Sequence, residues 1–99
     1  MAYRIEYSPE AEEHLRVLTR RQQAIVLDVV ETTLTEQPLT ETRNRKRMRP
    51  NGLALWELRI GDLRVYYDVD PGPPRVVQVR AVGIKSRERV RIGKETFRP

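Results

Sequence analysis

The sequence predicts a small α+β domain: an N-terminal strand, then an antiparallel helical hairpin packed on one face of a mainly antiparallel four-stranded sheet. Three observations carry this. Residues 55–69, LWELRIGDLRVYYDV, alternate apolar and polar on both sides of Gly61-Asp62, the pattern of two strands joined by a tight turn. Residues 9–37 carry two apolar stripes at helical spacing with almost no linker between them, so the helices must fold back on each other. The third observation is the charge. Residues 1–42 hold four basic and eight acidic side chains, whereas residues 43–99 hold fifteen basic and six acidic, which points to a polyanion partner for the C-terminal half.

The elements follow in order. Tyr3-Arg4-Ile5-Glu6-Tyr7 alternates and reads as the first strand, with Tyr3, Ile5 and Tyr7 inward. Ser8 caps the first helix and Pro9 fits its first position, where a missing N–H is no loss. Ala11, Leu15 and Leu18 form its stripe; Glu10, Glu12 and Glu13 suit the positive end of its dipole. His14 falls off the stripe and reads as a surface side chain. Thr19-Arg20-Arg21-Gln22 has the form of a capping box and starts the second helix. Val26, Leu27, Val30 and Leu34 are its core face, widened by Ile25 and Val29, and Gln37-Pro38 ends it.

Beyond the helices the chain turns basic. Arg43-Asn44-Arg45-Lys46-Arg47-Met48-Arg49 packs five cations into seven residues, and an extended backbone would put Arg43, Arg45, Arg47 and Arg49 on one side. Such a run suits phosphate contact, which positions a nucleic acid without reading its sequence; a mobile basic loop is the plainer alternative. Pro50-Asn51-Gly52 is a turn. In the hairpin, Trp56, Leu58, Ile60, Leu63, Val65, Tyr67 and Val69 form the apolar face, while Glu57, Arg59, Arg64 and Tyr66 share the polar one. Residues 75–84 give another strand, expected to turn Val77, Val79 and Ala81 to one side and to bring Arg80 beside Arg59 and Arg64. Three guanidiniums that close need an anion or a carboxylate among them, and Glu57 is the carboxylate at hand. Residues 85–99 are expected to be a basic tail, with Val90 and Ile92 alternating against Arg89 and Arg91 as a short edge strand.

Ninety-nine residues are enough for one domain, 1–99, and one core. The chain has no cysteine, which excludes a disulfide framework and thiolate chemistry and fits a reducing cytoplasm. No run approaches the roughly 20 apolar residues of a membrane span. No metal-ligand spacing stands out, so neither a metal nor a cofactor is expected.

Trp56-Glu57-Leu58-Arg59-Ile60-Gly61-Asp62-Leu63-Arg64-Val65-Tyr66-Tyr67 resembles the central LR-x-G-x-x-R-x-x-Y hairpin of the RelE/ParE superfamily of bacterial toxins. Tyr7-Ser8-Pro9-Glu10-Ala11 and Val82-Gly83-Ile84-Lys85-x-Arg87 are similar to that family as well, so the likeness spans about residues 3–93. The resemblance implies a RelE-like fold and the toxin of a type II toxin–antitoxin module with a cognate antitoxin as partner. It also implies one of two targets: the ribosome and its mRNA, cleaved without metal as an endoribonuclease (mRNA interferase), or DNA gyrase, inhibited by binding. A degenerate toxin that only binds its antitoxin is a third reading. Arg64 falls on the arginine that contacts the scissile phosphate in RelE-like nucleases, and Lys85 or Arg87 falls near the basic residue after the last long strand. With Glu57 as candidate base, the catalytic set is Arg64, Glu57 and Lys85 or Arg87. Arg43, Arg45, Lys46, Arg47, Arg49, Arg59, Arg80 and Arg89 would hold the nucleic acid. The chain departs from the family where RelE-like enzymes carry lysines on the first hairpin strand, since it has Leu55 and Glu57 there. It departs again where they end in a tyrosine or histidine, since it reads Val90-Arg91-Ile92-Gly93.

Overall fold

The computed structural model describes residues 2–97. Nine elements follow one another: β1 (Arg4–Tyr7), α1 (Pro9–Arg16), α2 (Arg20–Leu34), β2 (Arg45–Arg47), β3 (Trp56–Ile60), β4 (Leu63–Asp70), β5 (Val76–Ser86), β6 (Arg89–Ile92) and β7 (Glu95–Phe97). The strands form one seven-stranded sheet in the order β2-β3-β4-β5-β6-β7, antiparallel throughout, with β1 added parallel to β5. The sheet therefore exceeds the four strands expected from alternation. β2 and β7 are three residues each, too short to show a pattern, and they exist because a neighbour offers a free edge. The expected basic tail is two further hairpin strands, and β6 is paired on both sides rather than lying at the edge.

The helices start where their caps dictate. The Ser8 hydroxyl accepts from the Ala11 amide at 3.0 Å, and Thr19 and Gln22 form a reciprocal capping box at 3.1 and 3.0 Å. Ala11, Leu18, Val26, Val30 and Leu34 bury against Trp56, Leu58, Leu63, Val65, Tyr67, Val77, Val79 and Val82 on the sheet. Leu27, expected in this core, is 45 % exposed. Val26, Val30 and Leu34 recur every fourth residue and set the buried line; Leu27 is one residue, about 100° of helical turn, off it.

Trp56 stacks on Tyr67 across β3 and β4 with ring centroids 6.1 Å apart. The Tyr67 hydroxyl donates to the Pro38 carbonyl at 2.6 Å, and the Arg45 guanidinium donates to the Gln37 carbonyl at the same distance. Together they clamp the exit of α2 to the sheet. Arg45 is thus 7 % exposed and committed to the protein interior, which corrects its assignment to nucleic-acid contact. Its register opposite Leu58, a residue of the helix-covered face, explains why: β2 is extended as expected, but that side of it faces the core.

The second face has its own small cluster, Ala54, Tyr66, Ala81, Val90 and Ile92, with Met48 and Leu53 against it. Ala81 was expected beside Val77 and Val79. A β-bulge overturns this: Tyr67 pairs with Val79 and Tyr66 with Ala81, so Arg80 is the extra residue and every later side chain of β5 changes face. Along its other edge β5 pairs with β1 from Val76 to Val79, before the bulge, and with β6 from Gly83 to Ser86, after it. The gap between them is filled by α1, where the Ser8 hydroxyl donates to the Arg80 carbonyl at 3.2 Å and His14 Nδ1 accepts the Val82 amide at 3.3 Å. His14 is a structural acceptor, not the free surface residue expected. Burial holds its pKa below the usual histidine value, against the pull of Glu10, Glu95 and Glu13. Among the described residues no helix is long and apolar enough to cross a membrane.

Candidate functional site

On the sheet face away from the helices, the β3–β4 hairpin, β2 and the loop after it enclose a cleft of about 410 Å³. Its lining includes six cations (Lys46, Arg47, Arg49, Arg59, Arg64 and Lys85) and one carboxylate, Glu57. Register places them. Glu57 sits opposite Lys46 on β2 and Tyr66 on β4, Arg59 opposite Arg64, and Arg64 opposite Gly83. Lys85 reaches the same face from β5, opposite Val90.

Glu57 is 7 % exposed, and its Oε1 accepts from Arg59 Nε at 2.9 Å. A buried carboxylate is held by such a pair because leaving it alone would cost several kcal/mol, on the order of 3–5. Arg64 is equally buried; its Nη1 donates to the Gly61 carbonyl at 2.6 Å and the Leu63 carbonyl at 2.9 Å, which fixes the guanidinium against its own turn. That turn requires Gly61, whose φ is +59°. Asn51 shapes the rim: its side chain donates to the Arg49 and Ala54 carbonyls at 2.6 and 3.1 Å and accepts from the Leu53 and Ala54 amides at 2.6 and 3.1 Å.

Tyr66, fully buried, lies opposite Glu57 on β4. Burial pushes its pKa up, and the Glu57 carboxylate pushes further through its charge and a shared hydrogen bond, while Arg64 and Arg59 pull back. The phenol stays protonated at neutral pH and supports Glu57 from below. The sequence sets Tyr66 on the polar face with Glu57, Arg59 and Arg64 but gives it no role in the site; the two-residue turn at Gly61-Asp62 fixes the register that puts it opposite Glu57.

The remaining candidates separate. Lys85 lines the cleft; Arg87, its alternative, is in the β5–β6 turn and lines another cleft with Arg89. Arg43 is exposed in the turn before β2. Arg80, expected beside Arg59 and Arg64, is carried away by the bulge and pairs with Asp68 at 3.5 Å. Among the described residues, no three His, Cys, Asp or Glu side chains come together in a way that could hold a metal ion.

The fold is RelE-like. Residues 5–89 match the family described as ParE toxin of type II toxin-antitoxin system, parDE, and the chain belongs to that family. Among solved structures it is similar to the toxin–antitoxin complex RelBE2 from Mycobacterium tuberculosis, with a TM-score of 0.73 and 24 % identity over 86 % of this chain and 100 % of that one. That likeness is one of fold. No curated protein matches the chain.

Proposed function

We propose that this type II toxin acts in the cytoplasm as a ribosome-dependent mRNA endonuclease and is neutralised by a cognate antitoxin. The observation that carries the reading is the buried carboxylate of Glu57 amid six cations. Cleavage of RNA by its own 2′-OH needs a base, an acid and positive charge around the phosphorane. Glu57 takes the 2′ proton as the 2′ oxygen attacks the neighbouring phosphorus. The bond from phosphorus to the 5′ oxygen breaks, leaving a 2′,3′-cyclic phosphate, and Lys85 protonates the departing oxygen. Arg59 and Arg64 offset the charge that builds on the non-bridging oxygens, and Lys46 and Arg49 hold the flanking backbone. The same cationic cleft would attract an acidic antitoxin segment.

Three observations favour the gyrase reading. Glu57 is already paired with Arg59, Arg64 already donates to two carbonyls, and 90–93 carry no tyrosine or histidine. A surface so satisfied could serve by binding alone. Induced expression of the wild type, Arg64→Ala and Glu57→Gln, with pulse labelling of protein and DNA synthesis and mapping of transcript 5′ ends, separates the two. The nuclease predicts cuts in translated mRNA, reduced about 10²- to 10⁴-fold in Glu57→Gln. Intact transcripts with DNA synthesis arrested would overturn it.

A further inference from the structure

The β5–β6 hairpin carries a second basic cleft that the chemistry above does not use. Its geometry is a cross-strand arrangement. Ser86 is opposite Arg89, and Arg91 is opposite Thr96 on β7. Val90 and Ile92 turn into the cluster on the Glu57 side, so Arg89 and Arg91 project from the opposite face, where both are exposed. Arg87 adds a third guanidinium at the turn, and these side chains enclose a cleft with Ser86, Thr96 and one carboxylate, Glu88.

Two features argue for a ligand here. Among the described residues Arg87, Arg89 and Arg91 have no carboxylate partner although Glu88 is adjacent, a state they share with Arg47, Arg49 and Arg64 of the first cleft and with most other arginines of the chain. Cations two apart on a strand lie only about 7 Å from each other, so they repel unless an anion lies between them. Arg87 also has a φ of +59°, a conformation that side chains other than glycine and asparagine rarely adopt. A turn selected for stability alone would carry glycine there. A strained arginine kept beside two unpaired ones points to a demand on its charge.

We infer that Arg87, Arg89 and Arg91, with Ser86 and Thr96, form a second binding site for the phosphate backbone of RNA, on the sheet face opposite Glu57. Guanidiniums interleaved with hydroxyls are the donors that phosphate oxygens take without regard to sequence. The site rests on the reading of the chain as an RNA-directed toxin and deepens it. The RNA is gripped on both faces of the sheet around the β5–β6 hairpin, so the segment that is cut is anchored by backbone outside the cleft.

The test is binding of the purified full-length chain to a labelled single-stranded RNA of mixed sequence, by fluorescence anisotropy over a range of salt. Arg89→Ser with Arg91→Ser should weaken binding about tenfold and lower the log–log salt slope by about 1.4, two contacts at 0.7 each for a single strand. Arg87→Gly should weaken binding while raising the melting temperature, a combination that a purely structural arginine would not give. An unchanged slope in the double variant overturns the second site, whatever Arg64→Ala does. Loss of binding to an acidic peptide with RNA binding intact also overturns it and assigns the cleft to a protein partner. A wild-type chain that binds no RNA brings down the nuclease reading as well, and that outcome is distinct because it needs no variant.

Discussion

The same hairpin builds both faces of the sheet, and each face buries an arginine to a similar depth with opposite results. On the helix side, Arg45 reaches inward and is spent on the Gln37 carbonyl, beside Tyr67 and the stacked Trp56. On the open side, Arg64 is fixed by the carbonyls of its own turn, and its guanidinium lines the cleft beside Glu57 and Lys85. Burial therefore does not distinguish an arginine committed to the interior from one that lines a cleft. What distinguishes them is whether a second layer of chain covers the face. The helices close one side, and only a small apolar cluster and the loop at Asn51 border the other.

This contrast can be broken most directly at Trp56. Trp56→Ala should cost about 3–5 kcal/mol of stability by urea unfolding. On the proposed nuclease reading, cleavage per folded molecule should be unchanged; a loss would mean that the two faces are coupled. Arg45→Ala should cost about 1–3 kcal/mol, because the Gln37 carbonyl loses its partner, with no change in the salt dependence of RNA binding. A reduced salt slope would return Arg45 to the nucleic-acid surface. Tyr67→Phe removes one buried hydrogen bond and should cost about 0.5–1.5 kcal/mol. The smallest effect belongs to His14. Its folded pKa lies below the ordinary value of 6.5, so the unfolded chain binds the proton first. Its contribution is complete above about pH 6.5 and is lost as pH falls through the lowered folded value, where a protonated Nδ1 no longer accepts the Val82 amide. Denaturation midpoints of wild type and His14→Gln across pH 5–8 should converge at the acid end.

Most of the fold was legible because its signals are local. Alternation and Gly61-Asp62 specify the β3–β4 hairpin, and two caps specify the helices. The hairpin also delivers Glu57, Arg59 and Arg64 to one face, since register follows from the turn. What was not legible depends on partners distant in sequence. The bulge that removes Arg80 and reverses Ala81 exists only in the pairing of β4 with β5. Arg45 looks like its neighbours until β3 places it opposite Leu58. His14 lies off the apolar stripe because its partner is a backbone amide of β5, which no hydrophobic pattern records. Lys85 and Arg87 are two residues apart and would share a face in a continuous strand; the turn after Ser86 is what separates them.

The divided outer edge of β5 has a consequence in time. β3–β4 and β5–β6 are neighbours in sequence and can pair as soon as each is made. β1 and the start of α1 meet β5 across a separation of about seventy residues, with 72 between Ser8 and Arg80. Contacts of that span are the slow ones to form, since the loop must close before any of them rewards it. Emerging from the ribosome, α2 meets β4 early, whereas the N-terminal strand and α1 must wait for residues 76–82 before they have a surface to settle on. Until then the apolar stripe of α1 is uncovered. The seam at Ser8 and His14 is therefore the part of the fold whose closing depends on the latest-made partner.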